Sequence, residues 1–152
     1  MAGAGCIKMA SPLNVDQSKR PHPMTLHPNE IPERAHPQEA LQLMQDMGLV
    51  LIDIRTPSEW MRTGVAKGAV TLTAAGPEFA EHVLDLLGGD KSRPVGLVCA
   101  SGNRSAFVQR FLQSNGFTGV VNVVEGMTGG PGAGPGWILR GLPTVPYHHR
   151  AA

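Results

Sequence analysis

The stretch Val95-Gly-Leu-Val-Cys-Ala-Ser-Gly-Asn-Arg-Ser105 decides how this chain is interpreted. Its apolar first part, residues 95–98, predicts a buried β-strand, and residues 106–115 predict an amphipathic helix. Cys99 therefore lies at a strand-to-helix turn, where unpaired backbone N–H groups meet the positive end of a helix dipole. Such a turn is an anion-binding site with a nucleophile at its base.

The residues around Cys99 favour nucleophilic chemistry. A cysteine reacts as its thiolate, and a helix N-terminus or a cation such as Arg104 favours that form. Gly102 allows a backbone turn that points successive N–H groups inward. No histidine lies close to Cys99 in the sequence and there is no Cys-x-x-Cys pair, which argues against a protease-like Cys/His relay and against a dithiol. The second cysteine, Cys6, is interpreted as a free thiol.

Apolar runs alternate with helical patterns along the chain. The runs predict strands at residues 49–54, 68–72, 95–98 and 120–124. Helices are predicted to begin at Pro37, Pro57 and Pro77, after residue 105, and around Trp137. This alternation predicts an α/β fold with a mainly parallel sheet, whose ligands bind beyond the carboxyl ends of the strands. Cys99, Asp53 and Arg55 all fall at that edge.

Composition limits the function classes. The 152 residues suit one domain, and 41% hydrophobic with 16% charged residues is typical of a globular protein. A net charge of +1 favours neither nucleic acid nor an anionic membrane as a partner. No apolar run reaches membrane-spanning length and the N-terminus lacks a signal-peptide core, so we expect a cytoplasmic protein. The histidines match no metal motif, so we expect no metal site.

The organisation of the chain follows from its proline and glycine content. Residues 1–30 carry several prolines and no periodicity, which predicts a flexible N-terminal tail. Residues 31–146 are predicted to form the domain and residues 147–152 a C-terminal tail. The Gly/Pro-rich segment 126–136 must be a loop, and its sequence fits a flexible connection as well as a rim over a site.

Three segments together resemble the single-domain rhodanese-type sulfurtransferases. The loop from Cys99 to Ser105 matches that family's Cys-x-x-Gly-x-Arg-Ser motif. The other matches are Asp53-x-Arg55-x-x-x-Glu59-Trp60-x-x-x-Gly64 with Lys67-Gly-Ala69 upstream, and Gly116-Phe117, Asn122-Val-Val-Glu-Gly126, Trp137 and Gly141-Leu-Pro143 downstream. The resemblance covers about residues 31–146. It implies the rhodanese-like fold, a central and mainly parallel sheet of about five strands flanked by helices on both faces.

The resemblance also implies a reaction. Cys99 would be the catalytic residue, taking the outer sulfur of thiosulfate or of a persulfide donor and holding it as a persulfide. Cyanide or a thiol would accept it, a sulfur-carrier protein is a further candidate partner, and no metal or organic cofactor is required. The substrate-binding residues would be Ala100, Ser101, Gly102, Asn103, Arg104 and Ser105. The loop-bracing residues would be Asp53, Arg55 and Glu59, although we favour the simpler interpretation of these residues as a buried structural ion pair.

The sequence departs from the family pattern at two places. Val65 follows Gly64 where relatives have histidine, at a position that is mainly structural. Ala100 stands where many relatives have arginine, and fewer cations near the sulfur weaken the capture of a dianion such as thiosulfate. We therefore expect a persulfide as the physiological donor.

Two other functions stay open. Phosphatases and arsenate reductases of the same fold use a Cys-x5-Arg loop sized for a tetrahedral oxyanion. Here four residues separate Cys99 from Arg104, which suits a single sulfur atom better. Other relatives have lost the cysteine and act as non-catalytic binding modules, whereas this chain keeps Cys99 in an intact loop.

Overall fold

The computed structural model describes residues 31–148. The predicted N-terminal tail, Cys6 and the last four residues of the predicted C-terminal tail lie outside the described residues, and the domain boundaries stay a prediction. The strands are β1 (Arg34–Ala35), β2 (Val50–Asp53), β3 (Val65–Ala66), β4 (Val70–Thr71), β5 (Val95–Val98), β6 (Val120–Val123) and β7 (Thr144–Val145). The helices are α1 (Pro37–Met47), α2 (Pro57–Thr63), α3 (Phe79–Leu86), α4 (Asn103–Ser114) and α5 (Gly136–Leu139). Between residues 31 and 148, no helix is both long enough and apolar enough to cross a membrane.

Five strands form one parallel sheet in the order β1-β6-β5-β2-β4, which confirms the predicted α/β architecture. Strand β5 is buried along its whole length because helices cover both faces of the sheet. Leu97 packs on one face with residues of α3 and α4, and Val98 packs on the other face with residues of α1 and α5. This two-sided burial explains why the central strands are continuous apolar runs rather than alternating ones.

The register of the sheet aligns the ends of its three central strands. Asp53 at the end of β2 pairs with Val98, and Leu97 pairs with Asn122 of β6. The residues that follow these strands therefore emerge side by side at one edge. Cys99 follows β5, between the segment after β2 and the segment after β6.

The structure adds strands that the sequence does not predict. Strand β1 is the fifth strand of the sheet and pairs with β6, and β3 pairs with β7 in a separate antiparallel ribbon. Each has two residues, too few to show a periodicity, and each depends on a partner far away in sequence. Helix α4 also begins at Asn103, inside the Cys99 loop, rather than at residue 106. Arg104 and Ser105 consequently belong to its first turn.

Candidate active site

Cys99 lies where strand β5 ends and the chain turns into helix α4. Its side chain is buried, with a relative exposure of 1%. Gly102 has a φ of +100°, in the left-handed region that favours glycine. A Cβ atom at Gly102 would lie 3.3 Å from the backbone nitrogen of Glu125, so the turn is also packed closely against the end of β6.

Two backbone donors and one hydroxyl group surround the sulfur of Cys99. The backbone N–H of Gly102 donates to Sγ at 3.2 Å and that of Ser105 at 3.4 Å. The Ser105 hydroxyl is also 3.4 Å from Sγ. Burial raises the pKa of the Cys99 thiol, but the bonds from Ser105, Gly102 and Ser101 together outweigh it, so the net effect lowers the pKa. The turn therefore favours a thiolate, as its sequence predicts.

The back of the Cys99 loop rests on the segment after β6. Met127 N–H donates to the Cys99 carbonyl at 2.8 Å, and Thr128 N–H donates to the Ala100 carbonyl at 2.9 Å. At Gly126 a Cβ atom would lie 2.4 Å from the Ala100 oxygen, so this approach requires glycine. The first part of the Gly/Pro-rich loop is thus anchored to the cysteine loop.

A polar cleft of about 780 Å³ lies between the cysteine loop and the Gly/Pro-rich loop. Residues 101–103 line one side of the cleft and residues 130–133 line the other. The backbones of Gly130 and Gly134 are bonded to each other, which closes the tip of this loop on itself. The sequence fits either a flexible connection or a rim over a site, and this arrangement supports the rim.

Arg104 is directed at Glu59 and not at the sulfur. Its Nη1 and Nη2 donate to the two Glu59 carboxylate oxygens at 3.1 and 3.0 Å. The Arg104 guanidinium lowers the pKa of Glu59 to about 2. The positive charge of Arg104 still acts on Cys99 across space, but its hydrogen-bonding edge is occupied. The sequence grouped Arg104 with the substrate-binding residues; its contacts are those of a brace between α4 and α2.

Asp53 and Arg55 form a buried pair beneath α2. Arg55 Nη2 donates to Asp53 Oδ2 at 2.9 Å, and Trp60 Nε1 donates to Asp53 Oδ1 at 3.1 Å. Arg55 also donates to Thr63 Oγ1 and to the Gly64 carbonyl at 3.0 Å each, at the carboxyl end of α2. The pair fixes the helix that carries Glu59. Both the bracing role and the structural ion pair expected for these residues are compatible with this geometry.

Glu125 is a buried residue to which sequence reasoning gave no role. It follows β6, has a φ of +74° and is 3% exposed. Arg140 donates to its carboxylate through Nε and Nη2 at 2.7 Å each, and Gly136 N–H donates at 3.0 Å. The carboxylate also contacts His36 Nδ1 at 3.1 Å. Glu125 therefore ties together both ends of the Gly/Pro-rich loop.

Asn122 is a second residue without a predicted role. It is buried in β6, and its Oδ1 accepts a hydrogen bond from Ser105 Oγ at 2.5 Å. Its Nδ2 lies 3.4 Å from the Gly102 carbonyl oxygen. A polar side chain inside an apolar strand is the sequence signal that marks it, since buried polar groups require partners.

The described residues hold no cluster suited to a metal ion. Between residues 31 and 148, no three histidine, cysteine, aspartate or glutamate side chains converge on one point.

Comparison with known proteins decides the family. Residues 36–130 match the model of the rhodanese-like domain. This chain belongs to the rhodanese-like family. The matched segment contains β2, β5, the cysteine loop and β6, so it includes every element that positions the Cys99 sulfur.

Relatives of this rhodanese-like chain differ in their described activities. A chloroplastic thiosulfate sulfurtransferase 16 of Arabidopsis thaliana is 35% identical over 102 residues, which are 61% of this chain and 77% of that protein. The polysulfide-sulfur transferase homodimer of Wolinella succinogenes has 25% identity and a TM-score of 0.59, covering 82% of this chain and 86% of its own. A Rhodopseudomonas palustris protein described as a possible tyrosine phosphatase has 21% identity and a TM-score of 0.58, covering 83% and 99%. The last resemblance shows the fold alone.

Proposed function

We propose that this protein is a sulfurtransferase that carries sulfane sulfur as a persulfide on Cys99. The observation that carries the proposal is the convergence of two backbone donors, Gly102 N–H and Ser105 N–H, on one sulfur atom, with the Ser105 hydroxyl 3.4 Å from it. Donors of this kind stabilise negative charge that appears and disappears during a reaction. Membership of the rhodanese-like family and the two sulfurtransferase relatives support the same reaction class.

The reaction has two half-reactions. In the first, the Cys99 thiolate attacks the outer sulfur of a donor, a bond forms between Sγ and that sulfur, and the donor's sulfur–sulfur bond breaks. Thiosulfate would leave sulfite behind, and a persulfide would leave a thiolate. In the second, an acceptor attacks the outer sulfur and the Cys99 thiolate leaves, so that cyanide becomes thiocyanate or a thiol becomes a persulfide. Charge is conserved in each step, and neither step needs an external oxidant.

The charges around the sulfur favour a persulfide over thiosulfate as the donor. Ala100 supplies no cation, and the hydrogen-bonding edge of Arg104 is occupied by Glu59. A dianion would then rely on backbone N–H groups and on one partly neutralised arginine. A donor with a single negative charge requires less compensation.

Turnover by purified protein tests the proposal. We expect sulfur transfer from a small persulfide to a thiol, and slower formation of thiocyanate from thiosulfate and cyanide. Cys99→Ser should abolish both reactions while the circular dichroism spectrum stays unchanged, and Cys6→Ser should retain them. Activity that survives Cys99→Ser would exclude Cys99 as the sulfur carrier. A large loss in Cys6→Ser would point to a second thiol in the relay.

A non-catalytic binding module is the second candidate, because Cys99 is 1% exposed in the described structure. A sulfur donor must reach Sγ through the opening of the loop, so this burial demands either a small donor or movement of the loop. Absence of turnover with both thiosulfate and persulfide donors would favour the binding module. Hydrolysis of a phosphate ester faster than sulfur transfer would favour the phosphatase alternative.

The partners and location of the protein are also proposals. A thiol acceptor, cyanide or a sulfur-carrier protein would collect the sulfur, and the cytoplasm is the proposed compartment. The plant relative is chloroplastic by name, so an organelle is the alternative location to test. Imaging of the fluorescently tagged full chain would test the location.

A further inference from the structure

We propose that Asn122 is a positioning residue for the sulfur transfer proposed above, because its side-chain oxygen competes with Cys99 Sγ for the single proton of the Ser105 hydroxyl. The inference rests on that proposed function. Ser105 Oγ lies 2.5 Å from Asn122 Oδ1 and 3.4 Å from Cys99 Sγ. A hydroxyl group has one proton, so it can donate to only one of these two atoms at a time.

The orientation of the Asn122 amide is fixed by its second contact. Nδ2 faces the Gly102 carbonyl oxygen at 3.4 Å, where an N–H donor is needed. If the amide were rotated by 180°, its oxygen would face the Gly102 carbonyl oxygen and its NH2 group would face the Ser105 hydroxyl. Asn122 is 6% exposed, so bulk water does not compensate for a wrong orientation. Its oxygen is therefore an acceptor held in place beside the Ser105 hydroxyl.

The hydroxyl then has two positions that follow the charge on Sγ. When Sγ is a neutral thiol, or the inner sulfur of a persulfide, Ser105 donates to Asn122 and all groups are satisfied. When Sγ is a thiolate, Ser105 rotates its proton toward Sγ and the buried Asn122 oxygen loses its partner, which costs free energy. Asn122 therefore favours the sulfur-loaded protein over the empty thiolate. It raises the fraction of Cys99 that carries sulfur at equilibrium with a limiting persulfide donor.

The remaining charges near Cys99 do not provide such a switch. At the strand ends beside the sulfur, three ion pairs hold charged side chains: Asp53 with Arg55, Glu59 with Arg104, and Glu125 with Arg140. Arg110 of α4 instead lies over the Phe107 ring, 5.9 Å from its centroid. His36 contacts the Glu125 carboxylate through Nδ1 at 3.1 Å. The backbone donors Gly102 and Ser105 keep their direction in both states. Among these groups, only the Ser105 hydroxyl can turn without a change in charge.

The rate of alkylation of Cys99 as a function of pH tests the competition directly. In a Cys6→Ser background Cys99 is the single cysteine of the chain. Asn122→Val frees the Ser105 proton for Sγ, so iodoacetamide should react about threefold or more faster at pH 6. In a Ser105→Ala background the same substitution should change nothing, because the hydroxyl for which Asn122 competes is absent.

Gln109→Leu is the matched control. Gln109 is a buried amide that bridges α4 and β6, with Nε2 donating to the carbonyls of Glu33 and Val120. Gln109→Leu weakens the contact between α4 and β6 without changing a group that contacts the sulfur, so the alkylation rate of Cys99 should be unchanged. An equal acceleration in Gln109→Leu, an equal acceleration in the Ser105→Ala background, or no acceleration in Asn122→Val would each overturn the proposal.

Two further readouts keep the proposal separate from the function on which it rests. Should Asn122→Val fail to fold, Asn122→Asp is the second variant, because it retains an acceptor for the Ser105 proton. It should slow alkylation of Cys99, and the slowing should be smaller in the Ser105→Ala background. Equal slowing in both backgrounds would overturn the proposal. The fraction of protein loaded with sulfur by a limiting persulfide donor should fall in Asn122→Val. The predicted alkylation pattern without sulfur loading in any variant would overturn the sulfurtransferase and leave the competition standing.

Discussion

Two neighbouring turns at the carboxyl edge of the sheet hold negative charge in different ways. The turn after β6 carries Glu125, whose pKa is lowered to about 2, chiefly by the hydrogen bonds from Arg140. The turn after β5 carries Cys99, whose thiol pKa is lowered by Ser105 and Gly102 against the opposing effect of burial. A cation balances the first charge, whereas only hydrogen-bond donors contact the second.

The difference indicates what each turn is suited to do. An arginine bound to a carboxylate fixes a charge that stays in place, and such a pair serves structure. Hydrogen-bond donors without a bound cation stabilise a charge that can move from Cys99 Sγ to an attached sulfur and back. The rigid turn also supports the reactive one, because Met127 and Thr128 hold the carbonyls of the cysteine loop. Substitutions in the rigid turn should therefore affect mainly stability, and substitutions in the reactive turn mainly sulfur transfer.

Substitution of Gly126 should have the largest effect on stability. In Gly126→Ala the Cβ would approach the Ala100 oxygen to 2.4 Å at a φ of +67°, so the two turns must separate. We expect a loss of about 3 to 4 kcal/mol in the free energy of unfolding, measured by urea denaturation, with slower sulfur transfer. Gly132→Ala is the control, since its φ is +78° but nothing lies within 4 Å of the new Cβ. Equal losses would mean that close packing of the turns is unimportant.

Glu125→Gln should remove the fixed charge and leave the reactive turn in place. Arg140 loses its carboxylate partner, and we expect a loss of about 2 kcal/mol in the free energy of unfolding. The Cys99 alkylation rate should change little, since the two turns hold charge independently. Glu39→Gln is the control, because the exposed Glu39 carboxylate accepts a hydrogen bond from His36 N–H and is paired with no arginine among residues 31–148. A loss of activity without a loss of stability would assign Glu125 to the chemistry instead.

The dependence of the free energy of unfolding on pH should reveal the ionised Glu125 carboxylate. The pKa of Glu125 is lowered from its ordinary value of 4.5 to about 2 in the folded protein, so the unfolded chain binds protons first as pH falls. The stabilisation is complete above about pH 4.5 and is lost as pH falls toward 2. Glu125→Gln should therefore reduce the slope of stability against pH in this range. Glu59, with a pKa of about 2, contributes the same sign and should leave a residual slope. An unchanged slope in Glu125→Gln would contradict the charge assignment.

Ala100→Arg should have the smallest effect and the most specific one. It adds a cation to a turn that otherwise relies on hydrogen-bond donors, and we expect the KM for thiosulfate to fall about fivefold. The KM for a persulfide donor should change less. Ala100→Gln controls for the added volume. A similar gain with both donors, or with glutamine, would mean that the missing cation does not select the donor.

Much of the fold is predictable because the central strands and the cysteine turn are local features. Strands β2, β5 and β6 appear as apolar runs, and Gly102 follows Cys99 at the spacing of a tight turn. Strand β1 and the ribbon of β3 and β7 are not predictable in this way, because two-residue strands exist only through their distant partners.

The candidate site is predictable in its nucleophile and less so in its surroundings. Asn122 reaches Ser105 because the register of β6 against β5 places it beside the turn. Glu59 reaches Arg104 across 45 positions of sequence. Such contacts depend on how strands and helices pack, and a single sequence gives no measure of that packing. The ion pair of Arg104 with Glu59 is therefore not predictable from the sequence, and substrate binding by Arg104 stays a prediction.

The intact mass of the protein after exposure to a persulfide donor is the most direct test of the central claim. We predict a gain of one sulfur atom, located on the peptide that contains Cys99, absent in Cys99→Ser and lost again when cyanide or a thiol acceptor is added. A protein that gains no sulfur from either persulfide or thiosulfate, or that gains it at a position other than Cys99, would contradict the account.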